Sequence, residues 1–152
     1  MGFYIRKVRI EWSYPMDINN IIYDERMSDI GLYYITRNFR GHITDLYIGK
    51  TTYNFQSRLE AHIKNWIGDH RGLIQVRLGY IVYPQNITRQ YRKELIDSAE
   101  KTLIYFMRDK LKHNKQCMKD CYPKYWLDIY NTRYIGNLSP RLHFNHEEWY
   151  GW

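Results

Sequence analysis

Between residues 31 and 112 the apolar residues switch between a period of two and a period near 3.6 in a set order, which leaves few folds open to the chain. Residues 31–36 (GLYYIT) and 45–50 (DLYIGK) are short β-prone runs around a turn at Asn38 to Gly41, the pattern of an antiparallel hairpin with a longish loop. Asn54 then opens a helix to about Ile67, with Phe55, Leu59, Ile63, Trp66 and Ile67 at helical spacing and Gly68 as its stop. Residues 75–83 (QVRLGYIVY) alternate as a third strand closed by Pro84. Thr88 suits the N-cap of a long helix to about Lys112, whose buried face is Leu95, Ile96, Ala99, Leu103, Ile104, Met107 and Leu111. Strand, strand, helix, strand, helix describes a small α+β domain, because purely parallel sheets alternate more strictly. Residues 3–12 (FYIRKVRIEW) add a strand upstream, and 13–30 form a loop with a helical turn near Ile21.

Composition excludes several classes. With 152 residues the chain suits one domain with a real core, and 16 Tyr and 5 Trp rule out global disorder. No apolar run approaches the ~18 residues of a membrane helix, so no membrane partner is expected. Charges fall where a signal peptide needs its apolar stretch, and Cys117 and Cys121 are too few for a disulfide scaffold. The expectation is a cytoplasmic protein. Net charge is +7, and it is unevenly spread: residues 31–116 hold 15 basic and 7 acidic side chains, a net +8, while residues 1–30 and 117–152 are near neutral. Such clustering is what a phosphate-binding surface requires, and also what solvated helix faces produce.

Three features fit poorly in a plain core. Glu100 stands between Ile96 and Ile104 at i+4 steps, so a carboxylate projects from the edge of an apolar stripe and needs a cation, a hydrogen-bond cluster or a metal ion. Arg58 and His62 are i and i+4 on the first helix, at the border of its apolar face, where a guanidinium can clamp a phosphate. Tyr33 and Tyr47 lie in the two hairpin strands, each near a glycine, Gly31 and Gly49, of the kind that permits close approach.

These features follow one order: Gly31-Leu32-Tyr33, Tyr47-Ile48-Gly49, Arg58 with His62, then Glu100. That order resembles the GIY-YIG nuclease superfamily over residues 31–116. The YIG half is intact and runs on into Lys50-Thr51, while the GIY half reads GLY. A second YIG tripeptide, Tyr134-Ile135-Gly136, has neither a GIY-like strand before it nor an Arg-x-x-x-His helix after it, and reads as chance. The resemblance implies a small three-stranded antiparallel sheet flanked by helices. Residues 1–30 would then be an N-terminal extension with an extra strand, and 117–152 an aromatic C-terminal extension packed on the domain or a partner subunit.

The resemblance further implies a metal-dependent endonuclease hydrolysing DNA phosphodiesters, of restriction, phage or mobile-element type. Glu100 would ligate one Mg²⁺ (or Mn²⁺), and Arg58 would hold a non-bridging phosphate oxygen. Tyr33, Tyr47 or His62 would serve as general base, with Tyr33 favoured among the phenols and cationic neighbours needed to acidify it. Lys50, Thr51 and a late Asn, Asn114 or its substitute Asn131, would contact nucleic acid. Cutting both strands symmetrically would call for a homodimer. A non-catalytic nucleic-acid-binding module of the same fold and a structure-specific repair or recombination nuclease are the alternatives. Cys117 and Cys121 with His113, His143 and His146 are zinc-type residues at an unusual spacing, and the aromatic tail from Tyr125 to Trp152 could stack on bases.

Overall fold

The computed structural model describes residues 5–114 and 122–143. Cys117, Cys121 and His146, and the tail aromatics Phe144, Trp149, Tyr150 and Trp152, lie outside the described residues. In chain order the elements are β1 (Ile5–Trp12), β2 (Met16–Asp17), α1 (Ile18–Ile21), β3 (Gly31–Phe39), β4 (His42–Thr51), α2 (Phe55–Asn65), β5 (Leu73–Ile81), α3 (Arg89–Met107), β6 (Trp126–Arg133) and β7 (Arg141–Leu142). Short 3₁₀ turns sit at Glu25–Ser28 and Ile67–Asp69. The α+β class holds.

The sheet is larger than the three strands the sequence suggests. It is one mixed sheet in the order β4-β3-β5-β1-β6-β7, with β2 alongside β5. The expected trio forms its antiparallel end, since β3 pairs with both β4 and β5. The N-terminal strand then covers the free edge of β5, with Ile10 opposite Ile81. Its other edge pairs in parallel with β6, from Ile5 opposite Trp126 to Trp12 opposite Arg133. The segment that reads as an aromatic tail thus supplies an interior strand. Its presence follows from backbone satisfaction: β1 carries the fully buried Ile10 and Trp12, and a buried strand must pair on both edges.

The β3–β4 hairpin is tighter than expected. Phe39 pairs with His42, and the two residues between, Arg40 and Gly41, have φ of 54° and 78°. A two-residue turn with both φ positive matches the right-handed twist of the flanking strands. Farther along, the ladder skips a residue: Ile35 faces Tyr47 but Thr36 faces Asp45, leaving Leu46 as a bulge. Side chains alternate along a strand, so this extra residue decides which face the following side chains take. Leu46 and Tyr47 both turn to the face covered by α1 and α2, with Tyr33, Ile35, Phe55, Leu59, Val76 and Leu78. Asp45 and Ile48 turn to the face covered by α3, where Trp12, Tyr34, Ala99 and Leu103 pack.

Both long helices start at the expected caps. The Asn54 side chain accepts from the Ser57 N–H at 2.8 Å, and that of Thr88 from the Tyr91 N–H at 3.0 Å. Helix α3 ends at Met107, before the expected Lys112, and the chain then turns along the outer edge of β4. There the N–H of Lys112 donates to Asp45 O (3.3 Å) and that of His113 to Leu46 O (2.8 Å). Among the described residues no helix is long and apolar enough to cross a membrane.

Candidate active site

The edge strand β4 runs between the two long helices, and the residues singled out from sequence gather around it. Two adjoining clefts, of about 300 and 290 Å³, share Tyr47, Arg58 and Glu100 as walls. Lys50 and Thr51 complete the first; His62, Trp66, His113 and Asn114 line the second. Arg58 therefore arrives from α2 on one side and Glu100 from α3 on the other.

Tyr33 lies behind this wall. It has no exposed surface, and its ring stacks on Tyr47 with centroids 5.9 Å apart and planes 16° apart. The stack explains Gly49. A Cβ there would overlap the Tyr33 phenol and come within 2.6 Å of the Tyr47 ring, so the third letter of YIG is the space the two phenols occupy. Gly31 is similarly confined: its φ is 155°, and a Cβ would lie 2.6 Å from the Gly79 carbonyl oxygen.

His62 is buried, with its Nε2 2.8 Å from the Tyr33 oxygen. The Trp66 indole N–H donates to its Nδ1, also at 2.8 Å. Burial, with Arg58 and His113 adding repulsion, pushes the imidazole down to about 4, so it is neutral at physiological pH. Trp66 itself sits just past the end of α2, stacked on His113 at 4.2 Å, and the Nε2 atoms of His113 and His70 are 2.6 Å apart. Sequence periodicity counts Trp66 as core. The one signal for its second use is its i+4 spacing from His62.

The charged groups are unequally satisfied. Lys50 is paired with Asp97, which also takes Lys101 at 3.0 Å. Burial opposes ionisation of Asp97, but hydrogen bonds from the two lysines hold its carboxyl below the ordinary value. Asp97, one turn before Glu100, is a site residue that the sequence pattern does not single out. Glu100 has no such partner: among the described residues no hydrogen bond or salt bridge reaches its carboxylate. Burial pushes it up to about 7 despite the opposing pull of Lys50 and Arg58. A half-buried carboxylate open to a cleft fits a hard divalent cation, which takes one protein oxygen and keeps several waters. Among the described residues no three His, Cys, Asp or Glu side chains converge as a metal cage.

Tyr33 departs from the expected chemistry. Burial, with Tyr47 adding to it, raises Tyr33 above the ordinary phenol range, and the lowering by Arg58 does not offset this. Arg58 is held more firmly charged, chiefly by Tyr33. The expected acidification of Tyr33 is therefore not supplied by these neighbours alone.

Two expected nucleic-acid contacts have backbone work. The Thr51 hydroxyl accepts from the N–H groups of Tyr53 (3.1 Å) and Asn54 (3.0 Å), tying β4 to the start of α2. The Asn114 amide acts as a strand partner: Ile48 N–H donates to its Oδ1 at 2.9 Å, and its Nδ2 donates to Ile48 O at 2.8 Å. Asn131 lies in β6, four strands along the sheet from β4. It accepts from the Trp12 indole at 2.9 Å and donates to Ser139 O. Of the two late asparagines, Asn114 is the one at the cleft. Of the zinc-type residues, His113 bonds to β4 and His143 to Asp128 in β6, while Cys117, Cys121 and His146 lie outside the described residues. No family model, curated protein or solved structure matches the chain.

Proposed function

We propose that the protein is a divalent-metal-dependent DNA endonuclease with a GIY-YIG-type core at the β4 end of its sheet. The observation that carries this reading is the convergence of Arg58, Tyr47 and Glu100, from three separate elements, on the same pair of clefts. A plain packing role would not leave a guanidinium and an unpaired carboxylate facing the same clefts beside the Tyr47 phenol.

The roles follow from position. Arg58, exposed on α2, holds a non-bridging phosphate oxygen and stabilises the charge that grows on it. Glu100 offers its carboxylate to a Mg²⁺ or Mn²⁺ ion, which when bound supplies Lewis-acid polarisation of the phosphate and support for the leaving 3′-oxygen. Tyr47 walls both clefts and Tyr33 is fully buried, so Tyr47 is the phenol that a water in the cleft meets. Tyr33 sets the plane against which Tyr47 rests. Lys50, held by Asp97, adds positive charge beside the phosphate.

Supercoiled plasmid incubated with the protein tests the reading. Cleavage is expected with Mg²⁺ and not without it, and Glu100→Ala should abolish cutting while retaining DNA binding. Cutting by Glu100→Ala at the wild-type rate would sink the assignment. Discrete fragments would indicate sequence recognition, and cleavage confined to flaps or junctions a structure-specific enzyme. DNA binding without cutting would favour a non-catalytic module.

A further inference from the structure

Trp66, His62, Tyr33 and Tyr47 form a connected series that runs from the end of α2 to the cleft. Its first link has a consequence that depends only on donor and acceptor identity. An indole N–H can donate and cannot accept. The atom facing it at 2.8 Å, His62 Nδ1, must therefore carry a lone pair. A neutral imidazole holds one proton, which then sits on Nε2. Nε2 is the nitrogen 2.8 Å from the Tyr33 oxygen, so the ring donates there and the phenol oxygen accepts. Either of the other protonation states, the Nδ1–H tautomer or the cation, would set two N–H groups against each other at hydrogen-bond distance.

We propose that Trp66 is a positioning residue that locks His62 in its Nε2–H tautomer, making His62 the donor that fixes Tyr33 and removing it as a general base. The catalytic consequence rests on the nuclease reading; the tautomer does not. With Tyr33 held from behind, its ring presents a fixed face to Tyr47, with planes 16° apart. Trp66 can do this because it is itself clamped: its ring stacks on His113 at 4.2 Å, and its backbone N–H donates to His62 O at 3.0 Å. A phenylalanine at 66 would keep a ring to stack on His113 while losing the donor and the five-membered part of the indole, so the ring-nitrogen readout, which a packing loss alone does not set, is the decisive one.

Nitrogen-15 NMR of the imidazole in the full chain tests this directly. At neutral pH the wild type should show His62 with a bare Nδ1 and a protonated Nε2. In Trp66→Phe the two nitrogens should move toward the averaged values of mixed tautomers. In DNA cleavage that variant should lose roughly tenfold in kcat with KM unchanged, the scale of one hydrogen bond. A protonated Nδ1 in the wild type, or ring nitrogens unmoved by Trp66→Phe, would overturn the proposal. A raised KM with unmoved ring nitrogens would instead mark Trp66 as a nucleic-acid contact and would equally overturn it. If the wild type shows the expected tautomer but cuts no DNA with Mg²⁺ or Mn²⁺, the nuclease reading fails and the lock stands. If it cuts DNA with Nδ1 protonated, the lock fails and the nuclease reading stands.

Discussion

Glu100 carries a penalty that reports on its own role. Its carboxyl is near 4.5 when solvated and about 7 in the folded chain, with burial the largest cause. The folded state therefore binds the proton more readily than the unfolded one. The cost of ionisation is absent below pH 4.5, grows toward pH 7 and is fully felt above it. Glu100→Gln should raise thermal stability above that window by roughly 1–3 kcal/mol and make no difference below it, as melts at the two extremes would show. Mg²⁺ should stabilise the wild type at neutral pH and leave the Gln variant unmoved. Periodicity makes Glu100 legible, because a carboxylate flanked by Ile96 and Ile104 breaks an apolar stripe. It cannot rank Tyr33 against Tyr47, because both sit in β-prone runs and only the stack decides which is covered. Nor can it separate Trp66 from core, since an indole buries its ring and spends its N–H in the same place.

Among the elements, the hairpin, α2 and α3 follow their sequence signals to within a few residues, and the caps at Asn54 and Thr88 are where short polar side chains precede helical periodicity. Strand β6 does not announce itself. Leu127, Asp128, Ile129 and Asn131 are all buried, so the run lacks the alternation of a strand with one wet face. Its polar members are satisfied at a distance: Asp128 by Arg141 at 2.9 Å, Asn131 by Trp12. The bulge at Leu46 is equally hidden, because only the pairing with β3 reveals the extra residue. Asn114 offers a test at this scale. Asn114→Ala leaves the buried Ile48 N–H without its partner and should cost about 1–3 kcal/mol in denaturant titration. Faster amide exchange should appear at Ile48, next to Tyr47, before it appears in β5.

At the scale of the molecule, the sheet draws strands from both ends of the chain. Strand β1 lies between β5 and β6, and its Trp12 and Ile10 belong to the same core as α3. A fragment limited to residues 31–116 keeps every residue assigned to the clefts and loses that support. Circular dichroism and thermal melts of the fragment should show no cooperative transition at temperatures where the full chain is folded. The +8 of residues 31–116 predicts a second property of the whole protein. DNA affinity should fall linearly in log–log plots against salt, and Lys50→Ala should make the slope shallower by roughly one ion. Titrations at several salt concentrations measure it.

The outer side of β4 has a further consequence. A bare border strand offers a ladder of unpaired backbone groups onto which another chain can crystallise, and such ladders seed aggregation. Here the segment after α3 covers the middle of that ladder, from Asp45 to Ile48: Lys112 and His113 use their own backbone, and Asn114 substitutes an amide side chain where the backbone no longer runs alongside. The border that lines the clefts is thus also one whose middle is shielded from edge-to-edge growth. Substitutions in the cleft walls other than at Asn114 leave that shield in place, because it is made by backbone groups and by Asn114.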